Sequence, residues 1–149
     1  VGDTAGRMWW READAARGPA VFVIAEIGVN HDGEVERAVA LVEAAATAGA
    51  DAVKLQRFVP ERLLSNQAQL AGYQAGVAGD AAALLRPLSL GLGAMRQVGE
   101  AARAMGLKFI VTPFSLADVP ELGGLGVDAV KIASPDCVNT PLLEAAAGL

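Results

Sequence analysis

Two lysines stand in runs too apolar to hold an unpartnered charge. Lys54 lies in Gly49-Ala-Asp-Ala-Val-Lys-Leu55 and Lys131 in Gly126-Val-Asp-Ala-Val-Lys-Ile132, near copies with Gly, Asp, Ala, Val and Lys at matching offsets. A cation in such a run is costly to bury unless it meets an anion. A strand lysine can also snorkel its head to water at an edge or an end. A matched pair at equivalent positions of two strands favours a site. The two ammonium groups would converge on one mouth and take a phosphate or a carboxylate, with lysine acting as a point charge. Side chains alternate along a strand, so Lys54 and Gln56 share one face while Val53 and Leu55 share the other. By the same rule Lys131 goes with Ala129 and Ala133, opposite Val130 and Ile132.

Other polar groups collect where strands should end. Glu26 follows the apolar run Val21 to Ala25, with Asn30 and His31 in the next loop. Thr112 follows the run Leu107 to Val111, and Ser134 and Asp136 follow Lys131. Glu26 reads either as a proton-handling carboxylate facing the lysines or as a structural ion pair or loop cap. His31 is the only histidine, and a single His is no metal site by itself. No Walker A loop, GxGxxG, HExxH, Cys-based zinc spacing or GxSxG elbow is present.

The elements that must position these groups alternate in type. Strands are predicted at 21–25, 51–56, 107–111 and 127–133, and helices at 35–49, 90–105, 116–125 and 141–147. Asp32 and Ser89 are the expected helix N-caps, and Gly49 and Gly106 the expected helix ends. The connection from Pro60 to Pro87, with Tyr73-Gln74 in its middle, is long enough to suggest a functional insertion. Strand–helix alternation predicts a parallel sheet with helical crossovers. That leaves a small doubly wound domain or half of a (β/α)₈ barrel, which needs about 250 residues. The chain has 149 residues and stops early in an amphipathic helix, which favours the half-barrel: a 1–19 extension carrying Trp9-Trp10, then a partial barrel over 20–149. Barrel chemistry sits at the C-terminal ends of the strands, where these polar groups fall.

Composition excludes several classes. With 53% hydrophobic residues the chain can build a core, and with 5% aromatics that core is aliphatic. A net charge of -5 without a dense basic cluster argues against nucleic acid. No run is long and apolar enough for a membrane span, and the first residues lack a signal-peptide core. Cys137, the single cysteine, has no internal disulfide partner. The expectation is a soluble cytoplasmic protein.

Four blocks in order resemble the sialic acid synthase (NeuB-type) family: Ile24-Ala-Glu-Ile-Gly-Val-Asn-His-Asp-Gly33, Ala48-Gly-Ala-Asp-Ala-Val-Lys-Leu-Gln-Arg-Phe58, Val111-Thr-Pro-Phe114, and Lys131-Ile-Ala-Ser-Pro-Asp136 with Asn139-Thr-Pro-Leu-Leu143. Tyr73-Gln74 falls where the family has a Tyr-Gln pair. The resemblance covers roughly residues 20 to 147. It implies condensation of phosphoenolpyruvate with an N-acylated mannosamine-type sugar to a nonulosonic acid, with release of phosphate. Lys54, Thr112, Lys131 and Ser134 would hold the phosphate and carboxylate, and Glu26 would handle protons. Gln56, Tyr73 and Phe114 would bind the sugar, with Asn30 and His31 in the signature loop. A divalent Mn²⁺ or Mg²⁺ is implied, its ligands expected outside this chain, as are a C-terminal antifreeze-like domain and a homodimer. The chain alone is therefore expected to be inactive.

Three positions depart from the family pattern. Arg57 stands where Thr is usual, beside the expected sugar site; Ser115 stands where Asp commonly follows Thr-Pro-Phe; and Pro135 is unusual after the Ser. Sialic, legionaminic and pseudaminic acid synthases all fit. The rivals are another anion-handling barrel enzyme, such as a 3-deoxy-sugar acid synthase or a Schiff-base aldolase, and a non-catalytic phosphate-binding half-barrel.

Overall fold

The computed structural model describes residues 21–63 and 81–149. The 1–19 extension and the Tyr73-Gln74 pair lie outside the described residues. The elements run β1 (Ile24–Gly28), α1 (Val35–Thr47), β2 (Ala52–Arg57), α2 (Pro60–Leu63), α3 (Ala81–Leu85), α4 (Leu92–Ala104), β3 (Lys108–Pro113), α5 (Val119–Gly123), β4 (Ala129–Val130) and α6 (Thr140–Ala147). Short 3₁₀ turns occupy Arg86–Leu88, Leu116–Asp118 and Ser134–Val138. Among the described residues no helix is long and apolar enough to cross a membrane.

The strands are parallel and ordered β1-β2-β3-β4. A doubly wound sheet reverses its strand order at a switch point, and this sheet does not. Right-handed crossovers in one direction put every helix on the same face. The result is four consecutive βα units of a (β/α)₈ barrel.

The two faces of the sheet differ as that architecture requires. Val53, Leu55, Phe109 and Val111 pack against Ala38 and Val42 of α1, Met95, Val98 and Ala102 of α4, and Leu122 of α5, all buried. Each large side chain so buried contributes about 1.5–3 kcal/mol. On the other face the register sets Glu26 beside Lys54, Lys54 beside Ile110, Ile110 beside Ala129, and Gln56 beside Thr112. This is the barrel's inner wall, and it carries the polar groups.

Boundaries moved where pairing overrode composition. β1 begins at Ile24 rather than Val21, so Glu26 lies inside the strand instead of after it. A register irregularity follows between Glu26 and Gly28, and Gly28 takes φ +54, which glycine accepts without strain. The run 127–133 shrinks to Ala129–Val130, because β4 pairs only with β3 among the described strands. The Lys131 N–H still donates to the Val111 carbonyl at 3.0 Å. The predicted helix 116–125 divides into a 3₁₀ turn and α5, which Pro120 enters in its first turn.

Neither expected N-cap holds. Asp32 takes φ +51 and pairs with Arg37, and the Ser89 hydroxyl donates to the Arg86 carbonyl at 2.9 Å. Glu34 and Gly91 occupy those cap positions without side-chain bonds. The side-chain cap that does form is Asn139, which accepts the Leu142 N–H at 3.4 Å. Gly49 and Gly106 end α1 and α4 in left-handed conformations, as expected.

Candidate functional site

Lys54 is 8% exposed at the centre of the inner wall. Its ammonium pairs with the Glu26 carboxylate and stands 3.5 Å from the Thr112 hydroxyl, which is itself buried. The position on β2 sets this arrangement: β1 flanks it with Glu26, and β3 brings in Thr112 diagonally, two residues beyond its register partner Ile110. A cavity of about 380 Å³ opens on this face, lined by Phe22, Ile24, Lys54, Ile110, Ala129 and Lys131 among others. The two lysines of the near-copied segments thus line one hollow. Lys131 is exposed, and no carboxylate among the described residues pairs with it.

Glu26 and Gln56 meet over Gly28. A Cβ on Gly28 would lie 2.9 Å from Glu26 Oε1 and 3.5 Å from Gln56 Nε2, so the missing side chain lets the carboxylate and the amide share the floor of the mouth. Asn30 is exposed just beyond. His31 is not brought to the mouth. It is 1% exposed, and its Nδ1 accepts the Gly33 N–H at 3.0 Å. Burial lowers its pKa, against weaker upward pulls from the Gly28 backbone and Asp32, so the imidazole is neutral and organises the β1–α1 loop. The loop is seated in turn on the far end of the long connection, since a Cβ on Gly33 would collide with the Pro87 carbonyl oxygen.

Arg57, expected beside the sugar site, follows Gln56 in the chain but does not share its face. Its odd position on β2 turns it to the helix layer, where it is 8% exposed and its Nε and Nη2 both reach Glu121 Oε2 at 2.6 Å. Arg62 bridges Glu121 at 3.2 Å and the buried Asp118 at 2.9 Å. The Arg57 hydrogen bond, with help from Arg62, holds the Glu121 carboxyl below its ordinary range. Sequence reading missed this network, because Glu121 and Asp118 sit in a segment read as an ordinary helix. Phe114 packs edge-on against Phe58, centroids 6.4 Å apart, and its N–H donates to the Arg57 carbonyl at 3.1 Å. The Ser115 hydroxyl and one Asp118 carboxylate oxygen are buried without a partner.

Ser134 is exposed at the start of the 3₁₀ turn after β4. Asp136 accepts from the Asn139 side-chain amide at 3.2 Å, which ties that turn to the cap of α6. Tyr73 lies outside the described residues. Among the described residues no three His, Cys, Asp or Glu side chains gather in a way that could hold a metal ion.

The family model described as the NeuB family matches residues 41–149. The chain is 36% identical over 126 residues to the N,N'-diacetyllegionaminic acid synthase of Legionella pneumophila, covering 83% of this chain and 35% of that protein. It is 38% identical over 131 residues to the enzyme of that name from Campylobacter jejuni, covering 86% and 39%. The crystal structure of an N-acetylneuraminic acid synthetase from Leptospira borgpetersenii in complex with citrate superposes with a TM-score of 0.71 at 34% identity, covering 86% of this chain and 41% of that one. The chain therefore spans 35–39% of the length of these curated relatives.

Proposed function

The chain belongs to the NeuB family, and on that footing we propose that it forms the phosphoenolpyruvate-binding wall of a nonulosonic acid synthase. The observation that carries this reading is the placement of Lys54 and Lys131 around one hollow on the inner face, with Thr112 beside Lys54. Two cations and a hydroxyl suit a ligand with a phosphate at one end and a carboxylate at the other. Ser134 at the rim adds a further hydroxyl. The partner substrate is an N-acylated mannosamine-type sugar, as the family resemblance implies; the relatives' names, synthases of sugar acids, support a sugar partner in general.

In the reaction, C3 of phosphoenolpyruvate bonds to the aldehyde carbon of the open-chain sugar. A water oxygen adds at C2, the C2–O bond to phosphate breaks, and inorganic phosphate leaves. Lys54 and Lys131 are fixed cations matched to the anionic substrate and to the charge the departing phosphate carries. Glu26, already on Lys54 and half-exposed, takes a proton from the water or gives one to the leaving oxygen in this reading. Gln56 and Phe114 border the sugar end, and Asn30 lies at its edge. Mn²⁺ or Mg²⁺ would polarise the aldehyde as a Lewis acid. A cytoplasmic homodimer belongs to the same reading, as the family resemblance implies.

The test is phosphate release by the complete synthase to which this wall belongs, the chain by itself being expected to give none, with phosphoenolpyruvate, Mn²⁺ and a panel of N-acetylated mannosamine-type sugars. Release that depends on sugar, with one phosphate per phosphoenolpyruvate consumed, is expected. Release without sugar, or none with any sugar, overturns the reading. Borohydride trapping of a substrate on Lys54 or Lys131 would replace it with imine chemistry.

A further inference from the structure

Arg57 is a strand cation that the anion site does not use, and its surroundings assign it a task. It is the last residue of β2, with Phe58 just beyond it, pairs in register with Pro113 on β3, and accepts the Phe114 N–H on its own carbonyl. Its guanidinium spans from the Phe58 carbonyl, 3.4 Å from Nη1, to Glu121 on α5. Three elements are thereby tied at the point where β2 and β3 end. The side chains on either side of that tie are Gln56 on the inner wall and the Phe58–Phe114 edge contact. A guanidinium fork fixes direction as well as charge, which an ammonium or a hydroxyl does not.

We propose that Arg57, acting through Glu121, is a positioning residue for the sugar end of the site, fixing the β2–β3 junction that holds Gln56 and Phe114. The proposal rests on the synthase reading. It places Arg57 one layer behind the substrate, and it explains why an arginine can replace the smaller residue usual in the resemblance without crowding the mouth. Arg57 contributes to specificity by holding its neighbours in one geometry. The Glu121 carboxylate is shared with Arg62, so loss of Arg57 does not strand a buried anion.

The test compares Arg57→Thr and Arg57→Lys with the parent in the complete synthase, varying each substrate separately. Arg57→Thr is expected to raise KM for the sugar about tenfold, with kcat and KM for phosphoenolpyruvate within about twofold. Arg57→Lys recovers part of that loss. Equal sugar KM in parent and Arg57→Thr overturns the proposal, as does a joint loss of both KM values and kcat, which marks general loosening. If Arg57→Thr does not fold, Arg57→Lys carries the same comparison with the same deciding outcomes. Amide exchange at Phe114 is followed alongside and should accelerate about tenfold or more in Arg57→Thr. A parent without turnover sinks the functional reading, and the Phe114 amide then still decides whether Arg57 holds the junction.

Discussion

Glu26 and Lys54 stand directly opposite each other on β1 and β2, and their charges meet although the two are unequally buried. The lysine side chain is 10% exposed and the glutamate 51%. Removing one partner is therefore not equivalent to removing the other. Without Glu26, a cation is left inside the sheet, whereas without Lys54 a carboxylate is left that water can reach. Glu26→Ala is expected to cost about 1–2 kcal/mol, discounted from a fully buried pair because the carboxylate is half-solvated. Added inorganic phosphate should recover part of the loss by binding Lys54. Lys54→Met should change stability by less than about 1 kcal/mol yet lower kcat/KM for phosphoenolpyruvate by about a hundredfold or more. Thermal unfolding with and without phosphate, beside steady-state kinetics, checks both halves. A Lys54→Met protein with parental kinetics would refute the anion site.

His31 makes stability depend on pH with a definite sign. Its pKa in the fold is lowered from 6.5, chiefly by burial, so the unfolded chain takes the proton first. The stability that the neutral imidazole supports is complete above 6.5 and falls as pH drops from there to the lowered folded value. Protonation removes the acceptor for the Gly33 N–H, a bond worth about 1 kcal/mol. Glu121, held below 4.5 first by Arg57, adds a second loss further down as pH falls through its own folded value. His31→Asn keeps an acceptor near that N–H without titrating. Urea unfolding between pH 7.5 and 5 should show a slope in the parent that is absent in His31→Asn. Parallel curves would assign the slope elsewhere.

The family, the alternation of strands and helices and the faces of β2 were legible because they rest on periodicity and on local motifs. The near-copied segments were legible too, and the structure gives their shared aspartate a shared task. Asp51 accepts the Val23 N–H at 2.7 Å while its own N–H donates to the Val23 carbonyl at 2.9 Å. Asp128 forms the same ring with Phe109, at 2.9 and 2.8 Å. Each repeat thus clips its strand to the one before it, so Lys54 and Lys131, each three residues further on, recur on the same inner face. What could not be read was long-range. The partner that anchors Arg57 on its face of β2 is Glu121, 64 residues later in the chain. The burial of His31 depends on how its loop folds over its own backbone. The strand ends shifted because hydrogen-bond partners, not apolar content, set where a ladder starts and stops.

Gly99 offers a test of the packing behind the site, because local and tertiary preferences predict opposite signs. It lies inside α4, where replacing Gly by Ala ordinarily stabilises by about 1 kcal/mol. A Cβ there would lie 2.9 Å from Cε1 of Phe109, a ring that is fully buried near the start of β3. The ring belongs to the same buried cluster as Val98 and Ala102, so its retreat would disturb a packed core. Gly99→Ala is therefore expected to destabilise by about 1–3 kcal/mol, the usual cost of overpacking a filled core. Gly93, on the same helix, is the control: a Cβ added there would meet nothing within 4 Å, and Gly93→Ala should stabilise by about 0.5–1 kcal/mol. Chemical denaturation of both variants decides the matter. If Gly99→Ala stabilises as Gly93→Ala does, α4 does not press on Phe109, and β3 with Thr112 is seated less tightly than the structure describes.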